Sequence, residues 1–372
     1  MTARLNVKNH DCAGLREQLK ALGCPAFRGT QVFQWLWRRR AESFAEMANL
    51  PAKLRDSLEA GAELPQLELD TCQQARDGTR KILVRLPDGE KVECVLIPDR
   101  ERRTLCVSTQ VGCAMGCRFC RTATMGLKRH LEPWEIAEQV LLAERVLTDA
   151  GDHREVSGGK SSRSKVARRL TNLVFMGMGE PLHNIEGTLA AIRILTDPEG
   201  LDIAPRRITV STVGLLDEAR RVLAETDIRL AFSLNAPDNE RRDDIMPVNK
   251  RWRIGEIIEL VMGLDARDRD RVTFEYVVLA GFNDRPGDER ILEDLLAPLG
   301  RHFRVNLIPF NAFEESEFQR PEPARVEAIR DHLRAGGVDA FIRRPRGDDI
   351  LAACGQLALR KGASGSAAEI PV

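Results

Sequence analysis

The chain has 372 residues, which is enough to bury a large core and to form a barrel-sized domain with a smaller appendage. Its 56 basic and 56 acidic residues cancel, which excludes a global attraction for polyanions, so only local patches could hold one. The residues after Met1 are polar and no run of about 18 apolar residues follows, which predicts a soluble, cytoplasmic protein without a membrane segment. Nine cysteines without an export signal argue against a disulfide framework and favour metal ligands, catalytic thiols or core packing.

Residues 1–62 are predicted to form a small helical domain. Val32, Phe33 and Leu36 recur at helical spacing, and core packing is the simplest interpretation of this apolar face. Arg38–Arg40 follow at the end of that helix, where cations interact favourably with the helix dipole. A solvated basic face is the simpler interpretation of these arginines, and contact with a nucleic acid is the alternative.

Residues 63–99 are predicted to form a β-hairpin extension. Two β-rich runs, Thr79–Leu86 and Lys91–Pro98, flank a turn at Asp88–Gly89. Glu93 lies within the second, mostly apolar run, where an exposed carboxylate on the strand face is the simplest interpretation.

Residues 100–358 alternate short β-rich runs with amphipathic helical stretches. This pattern predicts an α/β fold with a parallel sheet, and six such runs fit a partial barrel better than a full eight-stranded one. Active sites in such barrels lie at the C-terminal ends of the strands. The runs are Thr104–Thr109, Asn172–Met176, Arg207–Thr212, Arg229–Leu234, Val272–Leu279 and Phe303–Phe310.

Two segments are predicted to lack regular structure. The stretch between Asp149 and Arg169 is rich in Gly, Ser and basic residues, which is typical of a flexible loop that could reach phosphates or be a tolerated insertion. Residues 359–372 are predicted to form a disordered tail.

Three cysteines follow the first predicted barrel strand within eight residues, as Cys113, Cys117 and Cys120. Three thiolates can hold three irons of a [4Fe–4S] cluster and leave the fourth iron open for a substrate. A structural zinc site is the alternative, but it would want a fourth ligand nearby, and no Cys or His follows closely. An open iron–sulfur site is therefore the favoured interpretation.

Small and polar residues follow the later strands of the predicted barrel. Because the C-terminal ends of parallel strands meet at one edge of a sheet, these residues are expected to converge on one ligand. An open iron with a ring of backbone, hydroxyl and amide groups suits S-adenosylmethionine (SAM), whose amino and carboxylate groups can chelate the iron. The groups are Gly177–Pro181 with Glu180, Ser211, Ser233–Asn235 and Asn311.

These residues carry a resemblance to a known superfamily. The three-cysteine spacing is that of radical SAM enzymes, and Gly177–Leu182 resembles their amino-acid-binding turn. Over roughly residues 15–358, four further segments resemble the RlmN/Cfr family of RNA adenine methyltransferases, and the last contains a thiol that other radical SAM enzymes have no reason to keep. The segments are Thr104–Cys113, Met246–Lys250, Val305–Asn311 and Arg346–Leu357. The resemblance implies a partial (β/α)6 radical SAM barrel.

The resemblance also implies a reaction that uses two SAM molecules per turnover. One SAM would methylate Cys354, and reductive cleavage of the second at the open iron would give a radical that takes hydrogen from the methylated thiol. Glu93 would remove the proton of the adenine carbon as general base, and Cys106 would attack the sulfur of Cys354 and leave a transient disulfide. Without the resemblance, both cysteines would be interpreted as packing thiols.

The same resemblance implies a set of SAM-binding residues at the strand ends. At Asn235 the family more often has His, so the side-chain contact there is expected to differ while the backbone contact survives. The implied set is Gly179, Glu180, Ser211, Ser233, Leu234, Asn235 and Asn311.

The family's substrates are the peptidyl-transferase-centre adenine of 23S rRNA and, for its RlmN branch, the adenine 3′ of the anticodon in tRNA. Pro98, Gly347–Ile350 and Glu93 look more like the RlmN branch, which methylates C2, than the Cfr branch, which methylates C8. The implied electron donor is a reductant such as flavodoxin or ferredoxin, and a monomer is expected. The rival interpretations are a glycyl-radical activase, which needs neither Cys106 nor Cys354, and a zinc-stabilised RNA-binding module.

Overall fold

The structure is a computed structural model that describes residues 4–151, 170–300 and 303–358, together with the backbone of Ala368–Glu369. Most of the loop predicted over residues 149–169 therefore lies outside the described residues. The same is true of the tail predicted over residues 359–372, apart from Ala368–Glu369.

The N-terminal region is mainly helical, as predicted. Val32, Phe33, Leu36 and Trp37 of its apolar face are fully buried, which confirms their interpretation as core residues. In chain order its elements are strand β1 (Leu5–Asn6), helix α1 (Cys12–Ala21), helix α2 (Phe27–Phe33), a π-helical turn (Gln34–Arg38), helix α3 (Ala52–Gly61) and strand β2 (Ala62–Glu63).

The remaining strands build one large open sheet and a small hairpin. They are β3 (Glu68–Gln74), β4 (Arg80–Arg85), β5 (Lys91–Asp99), β6 (Arg102–Cys106), β7 (Gln110–Gly112), β8 (Leu127–His130), β9 (Asn172–Phe175), β10 (Ile208–Thr212), β11 (Arg229–Ser233), β12 (Val272–Val278), β13 (Arg304–Pro309), β14 (Asp339–Ile342) and β15 (Ala368–Glu369). The 11-stranded sheet has the order β14-β13-β12-β11-β10-β9-β6-β5-β4-β3-β15, and β7 pairs with β8 alone.

Helices follow the parallel strands. Helix α4 begins with Pro133, whose fixed φ suits the first helical turn, and the Glu135 carboxylate accepts a hydrogen bond from the Glu132 backbone N–H at 2.9 Å. The helices are α4 (Pro133–Asp149), α5 (Ile185–Thr196), α6 (Leu216–Glu225), α7 (Asn239–Ile245), α8 (Ile254–Met262), α9 (Ala266–Arg269), α10 (Asp288–Leu296) and α11 (Pro323–Ala335). In the described parts of the chain, none combines the length and apolar character that a membrane crossing requires.

The predicted α/β class and partial barrel are confirmed, with two additions. Strands β6 and β9–β14 run parallel and include all six predicted barrel strands. Strand β14 was not predicted, because only Ala340 of its four residues is buried and it lacks an apolar pattern. The predicted hairpin of β4 and β5 gains β3 as a third strand and continues into the barrel sheet, since β5 pairs antiparallel with β6.

The sheet does not close, because β14 and the β3–β5 extension do not pair with each other. The chain after β14 instead crosses towards the extension. The Gly347 N–H donates to Asp77 at 3.2 Å, the Arg76 N–H donates to Asp349 at 3.1 Å, and Arg346 pairs with Asp99 at 3.0 Å. We call residues 343–358 the C-terminal segment, and it lies across the open side of the barrel.

A buried ion pair joins the N-terminal region to the barrel. The Lys8 ammonium lies 2.8 Å from the Glu138 carboxylate of helix α4, and the two side chains are only 2% and 1% exposed. Burial raises the pKa of Glu138, and Lys8 opposes that rise. Two charges are therefore removed from water, and each depends on the other for compensation.

We expect Lys8→Met to destabilise the protein by about 3 kcal/mol, because it leaves the Glu138 charge buried without its main partner. The double variant Lys8→Met/Glu138→Leu should recover most of that loss, since it removes both buried charges. Urea unfolding measures both effects. Lys20→Met is the matched control, because Lys20 is 67% exposed and should change stability little. Equal stability of Lys8→Met and wild type would contradict this role of the pair.

Candidate active site

The three-cysteine loop is held inside the β7–β8 hairpin. Gly112 has a φ of +78°, and a Cβ at this position would lie 1.8 Å from the Gly126 carbonyl oxygen. The Cys113 N–H donates to the same carbonyl at 3.0 Å. Only glycine fits this approach, so the residue before Cys113 sets the path of the loop.

Cys113, Cys117 and Cys120 line one open cavity of about 160 Å³, which we call the cysteine cavity. Burial raises the pKa of all three thiols, that of Cys113 to about 12, and their mutual proximity contributes at Cys113 and Cys117. Thiols in this setting would need a cationic metal group to become thiolates. Three thiols around one cavity with an open mouth fit the donor set of an iron–sulfur cluster with one free iron.

No three His, Cys, Asp or Glu side chains in the described residues are grouped as ligands of a single metal ion. A cluster differs from a single ion because each thiolate binds a separate iron. The three cysteines therefore need only face a common space, as they do here.

The turn after β9 forms a second wall of the cysteine cavity. Gly179 has a φ of +102°, and a Cβ there would lie 2.6 Å from the side chain of Gln110. Glu180 is buried, and its carboxylate accepts hydrogen bonds from the N–H groups of Leu182 at 3.1 Å and Val213 at 3.0 Å. Burial raises the pKa of Glu180 to about 7, and these hydrogen bonds oppose the rise.

The strand-end residues predicted from the sequence do converge, with one exception. Leu234 is fully buried and does not line the cavity, although its backbone N–H donates to Glu275 at 2.9 Å. The predicted residues that line the cysteine cavity are Gly179, Glu180, Ser211, Ser233, Asn235 and Asn311.

Asn235 uses its side chain within the protein. It has a φ of +58°, which Asn tolerates better than most residues. Its side-chain oxygen accepts from the Val277 N–H at 2.9 Å, and its carbonyl accepts from the Asn283 amide at 2.7 Å. The side chain thus ties the end of β11 to β12, while the residue still borders the cavity.

A buried arginine that the sequence did not reveal holds two of these strand ends. Arg242 is fully buried, and its guanidinium donates to the carbonyls of Ser233 at 2.9 Å and Val213 at 2.6 Å. It also donates to Asn249 at 2.8 Å, and burial lowers its pKa to about 10. Asn249 belongs to the Met246–Lys250 segment, so that motif was the sequence signal that could have pointed to Arg242 as its partner.

Cys354 lies where two cavities meet. It lines the cysteine cavity and also a second cavity of about 470 Å³, which Cys106 lines as well. Asn311 lines both as well, and its amide donates to the Cys354 carbonyl at 3.4 Å. Cys354 is exposed, because it borders both open spaces, whereas Cys106 is buried in strand β6. The structure thus brings together the two cysteines that are far apart in sequence.

An ion pair not predicted from sequence lies beside these thiols. Arg343 lines the second cavity, Glu275 lines the cysteine cavity, and their side chains are 3.3 Å apart. Burial of Cys106 raises the pKa of its thiol, and desolvation by the surrounding residues raises that of Cys354 although the residue is partly open to solvent; the Arg343 charge opposes the rise at both. Asn306 holds the other Glu275 oxygen at 2.8 Å.

Glu93 lines neither cavity. It is 2% exposed rather than exposed, its carboxylate lies 3.5 Å from the Lys81 ammonium, and it accepts from the Ala358 N–H at 3.0 Å. The simplest sequence interpretation, an exposed strand-face carboxylate, is therefore wrong. Glu93 contacts the C-terminal segment four residues beyond Cys354.

Several arginines of the basic stretches contact the barrel or line the second cavity. Arg38 donates to the Pro198 carbonyl, and Arg40 pairs with Glu144 of helix α4 at 3.7 Å, so these arginines contact the barrel. Arg102 and three arginines of the C-terminal segment line the second cavity.

Two family models match the chain. The model described as the N-terminal domain of ribosomal RNA large subunit methyltransferases matches residues 5–64, and that of the radical SAM superfamily matches residues 162–292. The first coincides with the helical N-terminal region, and the second spans strands β9–β12.

Curated relatives and a solved structure match most of the chain. The dual-specificity RNA methyltransferase RlmN of Anaeromyxobacter dehalogenans is 45% identical over 94% of this chain and 90% of its own length. RlmN 2 of Myxococcus xanthus is 46% identical over 91% of this chain and 86% of its own. A radical SAM methyltransferase from Sphaerobacter thermophilus is 40% identical with a TM-score of 0.84, covering 95% of this chain and 99% of that one. The chain therefore belongs to the RlmN family of radical SAM RNA methyltransferases.

Proposed function

We propose that this protein methylates C2 of adenine in 23S rRNA and in tRNA, through a methylated Cys354 and a transient disulfide between Cys354 and Cys106. The observation that best supports the proposal is that Cys354 borders both the cysteine cavity and the cavity that contains Cys106. A thiol in that position can receive a group on one side and deliver it on the other.

The target carbon explains why such a thiol is needed. C2 of adenine is an electron-poor aromatic carbon that neither attacks a sulfonium methyl nor loses its proton easily. When bound, a [4Fe–4S] cluster and SAM, which the family implies, supply a methyl group and radical chemistry. Cys113, Cys117 and Cys120 would hold the cluster, and Gly179, Glu180, Ser211, Ser233, Asn235 and Asn311 would contact SAM, with Leu234 acting only through its backbone.

Cys354 would carry the methyl group, because a thiolate can accept it by ordinary nucleophilic displacement. Desolvation by the surrounding residues raises the pKa of Cys354 and so disfavours its thiolate, and the Arg343 guanidinium favours it. Once the methyl carbon is bonded to adenine, Cys106 would attack the Cys354 sulfur. Cys106 attacks as the thiolate, after losing its proton, and the S–S bond forms as the sulfur–carbon bond breaks. The electron pair of the broken bond stays with the carbon, which takes up a proton and becomes the methyl group of the released base; two electrons and two protons from an external reductant later restore both thiols.

Glu93 would accept the proton that leaves C2. Its carboxylate is held near Lys81, so a negative charge there has a compensating partner. The Ala358 N–H donates to one of its oxygens, and because a carboxylate has about four lone-pair sites, that donor need not leave before a proton is accepted.

The partners follow from the family. Relatives carry the name dual-specificity RNA methyltransferase, which supports both rRNA and tRNA as substrates. We further propose that a flavodoxin or ferredoxin is the electron donor and that the protein acts as a cytoplasmic monomer.

We expect Cys354→Ala to abolish RNA methylation, because no thiol remains to carry the methyl group. Cys106→Ala should still form the bond to adenine but fail to release it, so a covalent protein–RNA adduct should accumulate. Denaturing gels with RNA and methyl-labelled SAM distinguish the two variants. Cys72→Ala is the control, since Cys72 is buried outside both cavities. Full methyl transfer by Cys354→Ala would refute the thiol mechanism.

The base product should be 2-methyladenosine. Mass spectrometry of nucleosides from rRNA and tRNA, with and without the protein, measures it against the 8-methyl isomer. The 8-methyl product would assign the C8 reaction instead.

Anaerobic reconstitution should give iron and sulfide, and Cys117→Ala should lose most of both, because one of three cluster ligands is removed. Absorption spectroscopy and metal analysis provide the measurement. Stoichiometric zinc without iron would contradict the cluster and favour a zinc-stabilised module.

A further inference from the structure

The second cavity is basic although the chain as a whole is neutral. Its charged lining comes from two segments that are far apart in sequence. Arg102 lies at the start of β6, and Arg343, Arg344 and Arg346 belong to the C-terminal segment. Asp99 is the acidic residue in this lining. Such a local concentration of cations can hold a polyanion without any help from net charge.

The four arginines differ in what they already bind. Arg343 pairs with Glu275 at 3.3 Å, and Arg346 pairs with Asp99 at 3.0 Å. Arg102 and Arg344 are exposed, and neither side chain has a hydrogen bond or ion pair with another residue in the described ranges. Arg343 and Arg346 are therefore engaged in ion pairs within the protein, whereas Arg102 and Arg344 can bind an external anion.

The second cavity also has an apolar lining, in addition to its basic residues. Val95, Ile97, Val174 and Ile308 contribute apolar surface, and Cys106 and Cys354 are the thiols. An unstacked base needs apolar surface for its flat faces, while the phosphates beside it need cations. The second cavity offers both, and it also contains the two thiols that must reach the base.

We propose that the target nucleotide enters through the second cavity and that Arg102 and Arg344 bind the RNA phosphates beside it. This inference rests on the proposed function. It assigns the two ligands to opposite sides of Cys354, with SAM in the cysteine cavity and RNA in the second. RNA binding therefore leaves the SAM side open.

The test is the double variant Arg102→Ala/Arg344→Ala, with binding to a tRNA anticodon stem-loop and to a peptidyl-transferase-centre rRNA fragment measured across salt concentrations. Loss of two phosphate contacts should weaken binding about 20-fold at about 0.15 M salt and make the slope of log K against log salt shallower by about 1.5. Arg102→Lys/Arg344→Lys should restore most of the affinity, because phosphate binding needs the charge. Iron content and unfolding temperature report whether each variant is folded.

Arg220→Ala/Arg290→Ala is the matched control, since both are exposed arginines of outer helices α6 and α10 that line neither cavity. It should bind RNA as the wild type does. Unchanged affinity and slope in Arg102→Ala/Arg344→Ala would overturn the inference. Failure of the proposed function is seen separately, as absence of methyladenosine with wild-type protein.

Discussion

The open side of the barrel is the constraint on which the site depends. A sheet whose two edges do not pair leaves a gap, and the C-terminal segment crosses it. The Arg121 N–H donates to the Gly355 carbonyl at 2.8 Å, the Thr122 hydroxyl donates to Leu357 at 2.7 Å, and the Gln356 amide donates to Ala312 at 2.9 Å. These contacts join the segment to the cysteine loop and to the end of β13. Cys354 borders both cavities because the segment crosses the gap, so the topology supplies a position that no single strand could offer.

Burial controls the charges around this position. The thiols of the cysteine cavity and Glu180 have pKa values raised by burial, which disfavours negative charge on these groups. The cationic side chains near the thiols are held by hydrogen bonds to backbone carbonyls or by an ion pair with a carboxylate. Arg242 is bound by strand-end carbonyls, and Arg343 by Glu275. Beside the thiols, the protein therefore holds its cationic side chains with backbone carbonyls and a paired carboxylate.

Local motifs allowed much of this site to be predicted. The three cysteines are close together in sequence, and the positions of the strand ends could be predicted from the β/α alternation. Cys106 and Cys354 could be connected only through the family resemblance, because 248 residues, from 106 to 354, separate them. The roles of Arg242 and of Glu275 with Arg343 depend on contacts between distant elements that no spacing encodes. Leu234 and Glu93 show a second limit of prediction from motifs, because a motif can identify a position without revealing which way its side chain faces.

The hydrogen bond from the Ala358 N–H to the Glu93 carboxylate joins strand β5 to the end of the C-terminal segment. A carboxylate has about four lone-pair sites, so this contact does not by itself block proton acceptance. It does couple the placement of a residue in the hairpin to the placement of the segment that carries Cys354. A change in the hairpin would therefore be felt at the thiol, even though Glu93 lines neither cavity.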